Sequence, residues 1–125
     1  MRYPYNIEYY PPFPSGRISV RNDALGLASE QFDGLIDTGA DATMIPLSVL
    51  EQIDARPLME KRVRSHWGEW RQIEIFLVDI EFDGLRLPNL HVIGDDMGGD
   101  VILGRDVLNK LRILLDGPNK ETQIR

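Results

Sequence analysis

The chain has 125 residues, with 14 Lys or Arg against 20 Asp or Glu and a net charge of −6. That length fits a single domain, and 42% hydrophobic residues are enough for a core that needs no staples. With no cysteine and only His66 and His91 as imidazoles, disulfide frameworks, thiolate metal sites and cysteine nucleophiles are excluded. No metal or cofactor is expected. The acidic balance repels phosphate backbones, so no nucleic-acid partner is expected either. No apolar run reaches the roughly 20 residues of a membrane span. The first residues lack the apolar stretch of a secretory leader, and the expectation is a soluble, cytoplasmic domain.

Residues 1–16 hold all four tyrosines, and Pro11-Pro12-Phe13-Pro14 closes them. Proline cannot donate to a ladder and biases its predecessor toward extended geometry. The segment reads as an N-terminal arm, lying along a surface or a neighbouring subunit, or else as a loosely ordered terminus. Residues 17–125 form the domain proper. Arg17 to Arg21 alternates like a half-buried strand, and Phe32-Asp33-Gly34-Leu35-Ile36 is a second strand. Pro46 opens a helix over 47–53, since proline is tolerated in a first helical turn. Leu25, Leu27 and Met44 are expected in the core.

Residues 57–93 predict long strands. Lys61-Arg62-Val63-Arg64 has the alternation of an exposed strand face. Ile73, Ile75, Leu77, Ile80 and Phe82 alternate with one slip of phase near Val78, which a bulge would absorb. Asp83-Gly84 marks a hairpin. Gly94 to Asp100 reads as a polar turn, without the alternating ligands or closing glutamate of a calcium loop. A strand at Val101-Ile102-Leu103 precedes a helix over 107–111, and a strand pair turning at Asp116 to Asn119 ends the chain. The class is mainly β with two short helices.

The chemistry concentrates at Leu35-Ile36-Asp37-Thr38-Gly39-Ala40-Asp41. A carboxylate directly after buried aliphatics is costly unless it is hydrogen-bonded. Gly39 permits a tight turn that aims its N–H at Asp37, and Thr38 adds a hydroxyl. Two carboxylates about 3 Å apart share one proton and can work as an acid–base pair on a water. The chain has one Asp-Thr-Gly, so a homodimer about a two-fold axis would have to supply the second. The phosphoryl-transfer loop of haloacid dehalogenases would need a second acid where Gly39 stands.

Together with Ile102-Leu103-Gly104-Arg105-Asp106, this motif resembles the two signatures of the retropepsin-like aspartic proteases, retroviral-type half-molecules of the pepsin clan. The helix after Pro46 and the closing hairpin look closer to bacterial members than to viral ones. The resemblance implies a closed, barrel-like acid-protease half-domain acting as a homodimer. It implies an aspartic endopeptidase that cleaves peptide or protein substrates, with Asp37 as catalytic acid. Thr38, Gly39, Ala40, Asp41 and Arg105 would support the loop, and Ile102, Leu103 and Gly104 would thread behind it. Asp41 would pair with Arg105 and accept from substrate main chain, or serve only as a structural ion pair. Trp67, Gly68 and Trp70 fall where the family has its flap; the two tryptophans would close over substrate or simply pack on the sheet. His66, beside them, reads as a surface residue. The alternative function is a catalytically silent dimerisation or peptide-binding module on the same fold.

Overall fold

The computed structural model describes residues 1–64 and 68–125. Its elements in chain order are β1 (Arg2–Pro4), β2 (Ser15–Asn22), β3 (Leu27–Ala28), β4 (Phe32–Ile36), β5 (Met44–Pro46), α1 (Leu47–Gln52) and β6 (Arg56–Arg64). They continue with β7 (Trp70–Phe82), β8 (Leu85–Asp95), β9 (Val101–Leu103), α2 (Arg105–Leu108), β10 (Ile113–Asp116) and β11 (Glu121–Ile124).

Eight strands form one sheet in the order β3-β2-β4-β9-β5-β8-β7-β6, and an added β2–β7 pairing closes it into a barrel. Alternation drives the closure. Ile18 and Val20 of β2, Phe76, Val78, Ile80 and Phe82 of β7, and Val92 of β8 turn their side chains inward. Full burial of such a side chain contributes about 1.5–3 kcal/mol. Ile45, Leu50, Ile53, Leu103 and Val107 extend the same core toward the two helices.

A bulge does lie near Val78, but β7 itself keeps its phase, with Phe76, Val78, Ile80 and Phe82 all in the core, and the pairing puts the extra residue on β8. Val78 faces Leu90 and Ile80 faces Leu87, so Asp79 stands opposite two β8 residues. Asn89 takes up the extra length at φ 57° and donates its N–H to Asp79 Oδ1 at 2.8 Å. The β7–β8 turn follows at Asp83-Gly84, where Gly84 sits at φ 88°, a backbone conformation that only glycine enters freely.

The arm is part of this packing. β1 pairs antiparallel with β11, which pairs in turn with β10, giving a three-stranded sheet below the barrel. Tyr3 and Tyr5 are buried, and the Tyr3 hydroxyl donates to Asp83 Oδ2 at 3.0 Å. Asn6 and Phe13 bridge, Tyr9 stacks edge-on against Phe13 and bonds Asp100, and Pro14 C=O accepts the Ile36 N–H at 2.9 Å. The arm therefore ends against the residue that precedes Asp37.

Several expectations shift. β2 already begins at Ser15, within the segment read as arm. α2 starts at Arg105 rather than at 107, because the extended Gly104 carbonyl accepts the first N–H groups, those of Val107 and Leu108. The chain then leaves the helix through i→i+3 turns at Lys110 and Leu111. β8 runs on to Asp95, since parallel pairing of Gly94 with Ile45 and of Asp95 with Pro46 holds it in the sheet. Leu25 and Leu27 lie on an exposed turn and a two-residue edge strand, outside the core.

Candidate active site

β4 delivers Asp37 to the end of the barrel. It runs parallel to β9, with Gly34 opposite Val101, Leu35 opposite Ile102 and Ile36 opposite Leu103. β9 pairs on its other side with β5, Met44 opposite Ile102. The second signature thus threads between the strand entering the Asp37 loop and the strand leaving it. Gly34 makes the close approach possible, because a Cβ there would lie 2.9 Å from Leu103.

Within the loop, Asp37 is half-buried and its N–H donates to Leu103 C=O at 3.1 Å. Gly39 N–H donates to Asp37 Oδ1 at 2.9 Å, the contact expected from the motif. Ala40 N–H reaches back to Asp37 C=O at 3.1 Å, closing the turn. Thr38 and Gly39 are exposed, so the loop presents an open face.

Arg105 braces that loop from behind. Its guanidinium donates to Thr38 C=O at 2.8 Å and pairs with Asp41, while its N–H donates to Ala40 C=O at 2.9 Å. Three residues of the loop therefore hang on one side chain and its own backbone. A charge-assisted pair of this kind fixes geometry as well as adding energy. The Asp41 side chain is 90% exposed, which leaves carboxylate surface free beyond the Arg105 contact.

Thr43 and Asp106 form a second brace, which the motif did not announce. Asp106 accepts the Thr43 hydroxyl at 2.7 Å and its N–H at 3.0 Å, and the same hydroxyl accepts Gly104 N–H at 3.1 Å. Thr43 is wholly buried. A threonine shortly after the Asp-Thr-Gly and an acid directly after Gly104-Arg105 were the available signals. Gly104 itself has no room for a side chain, since a Cβ would meet the Ala42 backbone at 2.6 Å.

The hairpin of β6 and β7 lies between the two signatures in sequence. From Ile75 onward β7 pairs with β8, but the stretch Trp70 to Glu74 has only β6 beside it. Its outer part is therefore a two-stranded projection. Trp70 is 59% exposed, so it does not pack into the sheet; Arg62 lies over its ring at 5.2 Å. Gly68 takes φ 80°. Trp67 and His66 lie outside the described residues. The Lys61 to Arg64 run is exposed, and Arg71 pairs with Asp96.

Two clefts flank these features. One of about 1000 Å³ lies between the arm, the start of β4 and the Gly98 to Asp100 turn, and one of about 200 Å³ lies against the hairpin, lined by Met44, Ile73 and Ile93. Asp37 lines neither.

A family model described as “gag-polyprotein putative aspartyl protease” matches residues 26–110. That span takes in both signatures and the strands that carry them. The chain belongs to this aspartyl protease family.

Solved structures agree on the fold. EIAV protease complexed with the inhibitor HBY-793 superposes with a TM-score of 0.61 at 20% identity, covering 85% of this chain and 91% of that one. A retropepsin-like aspartic protease from Rickettsia conorii gives 0.64 at 11% identity, covering 98% and 86%. The retroviral protease-like domain of Ddi1 from Leishmania major gives 0.58 at 17% identity, covering 90% and 87%. A search of curated proteins gave no match. As an aspartyl protease family member, the chain has the barrel-like retropepsin fold that its two signatures implied. No helix among the described residues is long and apolar enough to cross a membrane.

Proposed function

We propose that this aspartyl protease family member is an endopeptidase that acts as a homodimer, with one Asp37 from each copy forming the catalytic dyad. The observation that carries this reading is the Asp37 loop. One carboxylate is held by a Gly39 N–H, its turn is braced by Arg105 and Leu103, and its open side is exposed. A single chain supplies half of an acid–base pair, on a loop whose Thr38 and Gly39 are exposed.

With the two Asp37 side chains about 3 Å apart, one proton is shared between them. The ionised member takes a proton from water, whose oxygen attacks the peptide carbonyl carbon. The protonated member gives its proton to the carbonyl oxygen, and a neutral gem-diol forms. On collapse the ionised member takes a proton from a gem-diol hydroxyl while the protonated member gives its own to the nitrogen, the C–N bond breaks, and the amine and carboxyl products leave the dyad with one proton again. The Gly39 N–H holds the carboxylate orientation through this exchange.

Thr38 is the residue that meets its own copy across the axis, and its carbonyl is already committed to Arg105. Asp41 serves twice, binding Arg105 and offering its exposed oxygen to a substrate N–H. Ile102, Leu103 and Gly104 set the height of the loop from below, and Ala40 closes it. The projecting β6–β7 hairpin, with Gly68, Trp70 and the adjoining Trp67, covers bound peptide.

The test is cleavage of an unfolded protein mixture by wild type and Asp37→Asn between about pH 3 and pH 8. The expected result is wild-type cleavage that vanishes in the variant, with specific activity rising as enzyme is concentrated. A well-folded dimer that binds peptide without cutting it would move the assignment to a silent peptide-binding module.

A further inference from the structure

β5 leaves the Asp37 loop at Met44, three residues beyond Asp41, and Met44 forms one wall of the cleft of about 200 Å³ beside the hairpin. Leu47, Ile73 and Ile93 make up the rest of its apolar lining. A cavity of this size is smaller than the roughly 300–1,000 Å³ of small-molecule pockets and admits a single side chain. Asp37 does not line it, so an occupant stands away from the bond being cut.

Four carboxylates line this cleft, and two of them are already engaged. Asp95 accepts the N–H groups of Met97 and Gly99 at 2.9 and 3.3 Å, and Asp96 pairs with Arg71. The other two, Glu60 and Glu74, stand directly opposite each other in the β6–β7 pairing. Like charges at such positions destabilise a sheet. Gln72 eases the conflict by donating to Glu60. Glu74 is half-buried and makes no hydrogen bond or ion pair among the described residues. Two of the hairpin's own arginines are held elsewhere, Arg62 over the Trp70 ring and Arg71 by Asp96. An unpaired carboxylate beside apolar walls is costly for the chain alone and ceases to be so when a cation enters.

We propose that this cleft is a specificity pocket for a long basic side chain, arginine or lysine, of a peptide substrate, with Glu74 and Glu60 as the carboxylates that recognise it. The proposal rests on the reading of the chain as an endopeptidase and names what that enzyme selects. The stem of the basic side chain lies along Met44, Leu47, Ile73 and Ile93, and its charged head meets the two glutamates. One cation between them removes their mutual repulsion while each glutamate accepts a charge-assisted hydrogen bond. An aliphatic side chain would fill the walls and leave Glu74 without a partner. An acidic one would bring a third negative charge to the pair.

The test reads the residues around every bond cut in an unfolded protein mixture, by mass spectrometry of the products, for wild type, Glu74→Gln and Glu74→Arg. Wild type is expected to show arginine and lysine enriched about fivefold at one fixed position that does not adjoin the cut. Glu74→Gln should lose most of that enrichment, and Glu74→Arg should replace it with enrichment of aspartate and glutamate. Glu74→Gln also removes one of two facing like charges, so it should melt no lower than wild type, which separates lost selectivity from lost folding. Cleavage with no basic preference at any position, or a preference that both variants keep, would overturn the pocket and leave the dyad standing. Absence of cleavage by wild type would instead remove the endopeptidase reading, and binding then decides the pocket. Short fluorescent peptides, randomised except for one fixed arginine or one fixed norleucine, are titrated with wild type and Glu74→Gln by fluorescence polarisation. Tighter binding of the arginine set by wild type alone upholds the pocket, and equal binding of the two sets overturns it.

Discussion

Thr43 and Asp106, 63 residues apart, are tied by two donated hydrogen bonds, and the Thr43 hydroxyl accepts a third from Gly104 N–H. This knot joins the strand that leaves the Asp37 loop to the helix that follows the second signature. Burial raises its value, because a buried donor left unmade costs more than a made one contributes.

Thr43→Val is therefore expected to destabilise the fold by about 1–3 kcal/mol, since it removes the hydroxyl and leaves Gly104 N–H and Asp106 short of a partner. Thr43→Ser, which keeps the hydroxyl, should recover most of the loss. Urea denaturation of both variants measures the difference.

Gly104→Ala should be far more damaging than its single methyl suggests. The new carbon would meet the Ala42 carbonyl carbon at 2.6 Å and its oxygen at 2.7 Å, and backbone cannot swing aside. A loss of about 3 kcal/mol or more is expected. Gly117→Ala, where a Cβ meets nothing within 4 Å, is the matched control and should be near neutral. Thermal melts of the two variants check the contrast.

The contrast between these positions and the motif shows what sequence could convey. Asp37 and Gly39 were legible because a loop that aims an N–H at a carboxylate needs an acid and, two residues on, a glycine; Asp41 and Arg105 were legible only through the resemblance of the two signatures to a known family. β4 and the two hairpins were legible from alternation and turn residues, whereas the bulge was not, because β7 alternates unbroken from Phe76 to Phe82 and the extra residue lies on β8. Thr43 was not, because a threonine in a strand looks alike whether or not its hydroxyl meets an acid far along the chain. The arm was legible as extended but not as a partner of β11, since the proline-rich composition says nothing about which edge it joins. α2 began early because the Gly104 carbonyl fixes its start, whereas the apolar pattern that suggested a start at Val107 marks only its buried face. Leu25 and Leu27 were expected inside on composition alone; the turn that carries them leaves them in solvent.

Arg105→Lys should preserve charge and lose function. A lysine cannot hold Thr38 C=O and Asp41 together as the guanidinium does. A fall in kcat of about ten- to a hundredfold is expected from a loosened loop, with KM changing less. Steady-state kinetics on one peptide substrate distinguishes this from a loss of stability, which melts would report.

A second carboxyl pair, remote from Asp37, sets a pH dependence of stability. Burial, and next the hydrogen bond to Asp23, push the Asp79 carboxyl above the ordinary carboxylate range. The hydrogen bond from Asp79, and next that from Arg21, hold Asp23 below it. Arg86 reaches Asp23 and Glu81, and Arg21 also lies near Glu81, so this cluster joins β2 to the β7–β8 hairpin. Asp79 contributes stability that is present at low pH and is lost as pH rises through its raised value. Asp23 contributes stability that is lost only as pH falls through its depressed value. Asp79→Asn keeps a donor toward Asp23 with no proton to lose. It should be more stable than wild type at about pH 7 and no more stable at about pH 4, as read from urea midpoints at the two values.

The central claim is that one active site takes an Asp37 from each of two chains, and subunit mixing tests it most directly. Wild type and Asp37→Asn are combined in equal amounts, left to exchange, and assayed at the total concentration used for wild type alone. Random pairing leaves about a quarter of the dimers with two Asp37 side chains, so activity should fall to about one quarter. Retention of about one half, the share of wild-type chains in the mixture, would mean that each chain works by itself and would contradict the shared dyad.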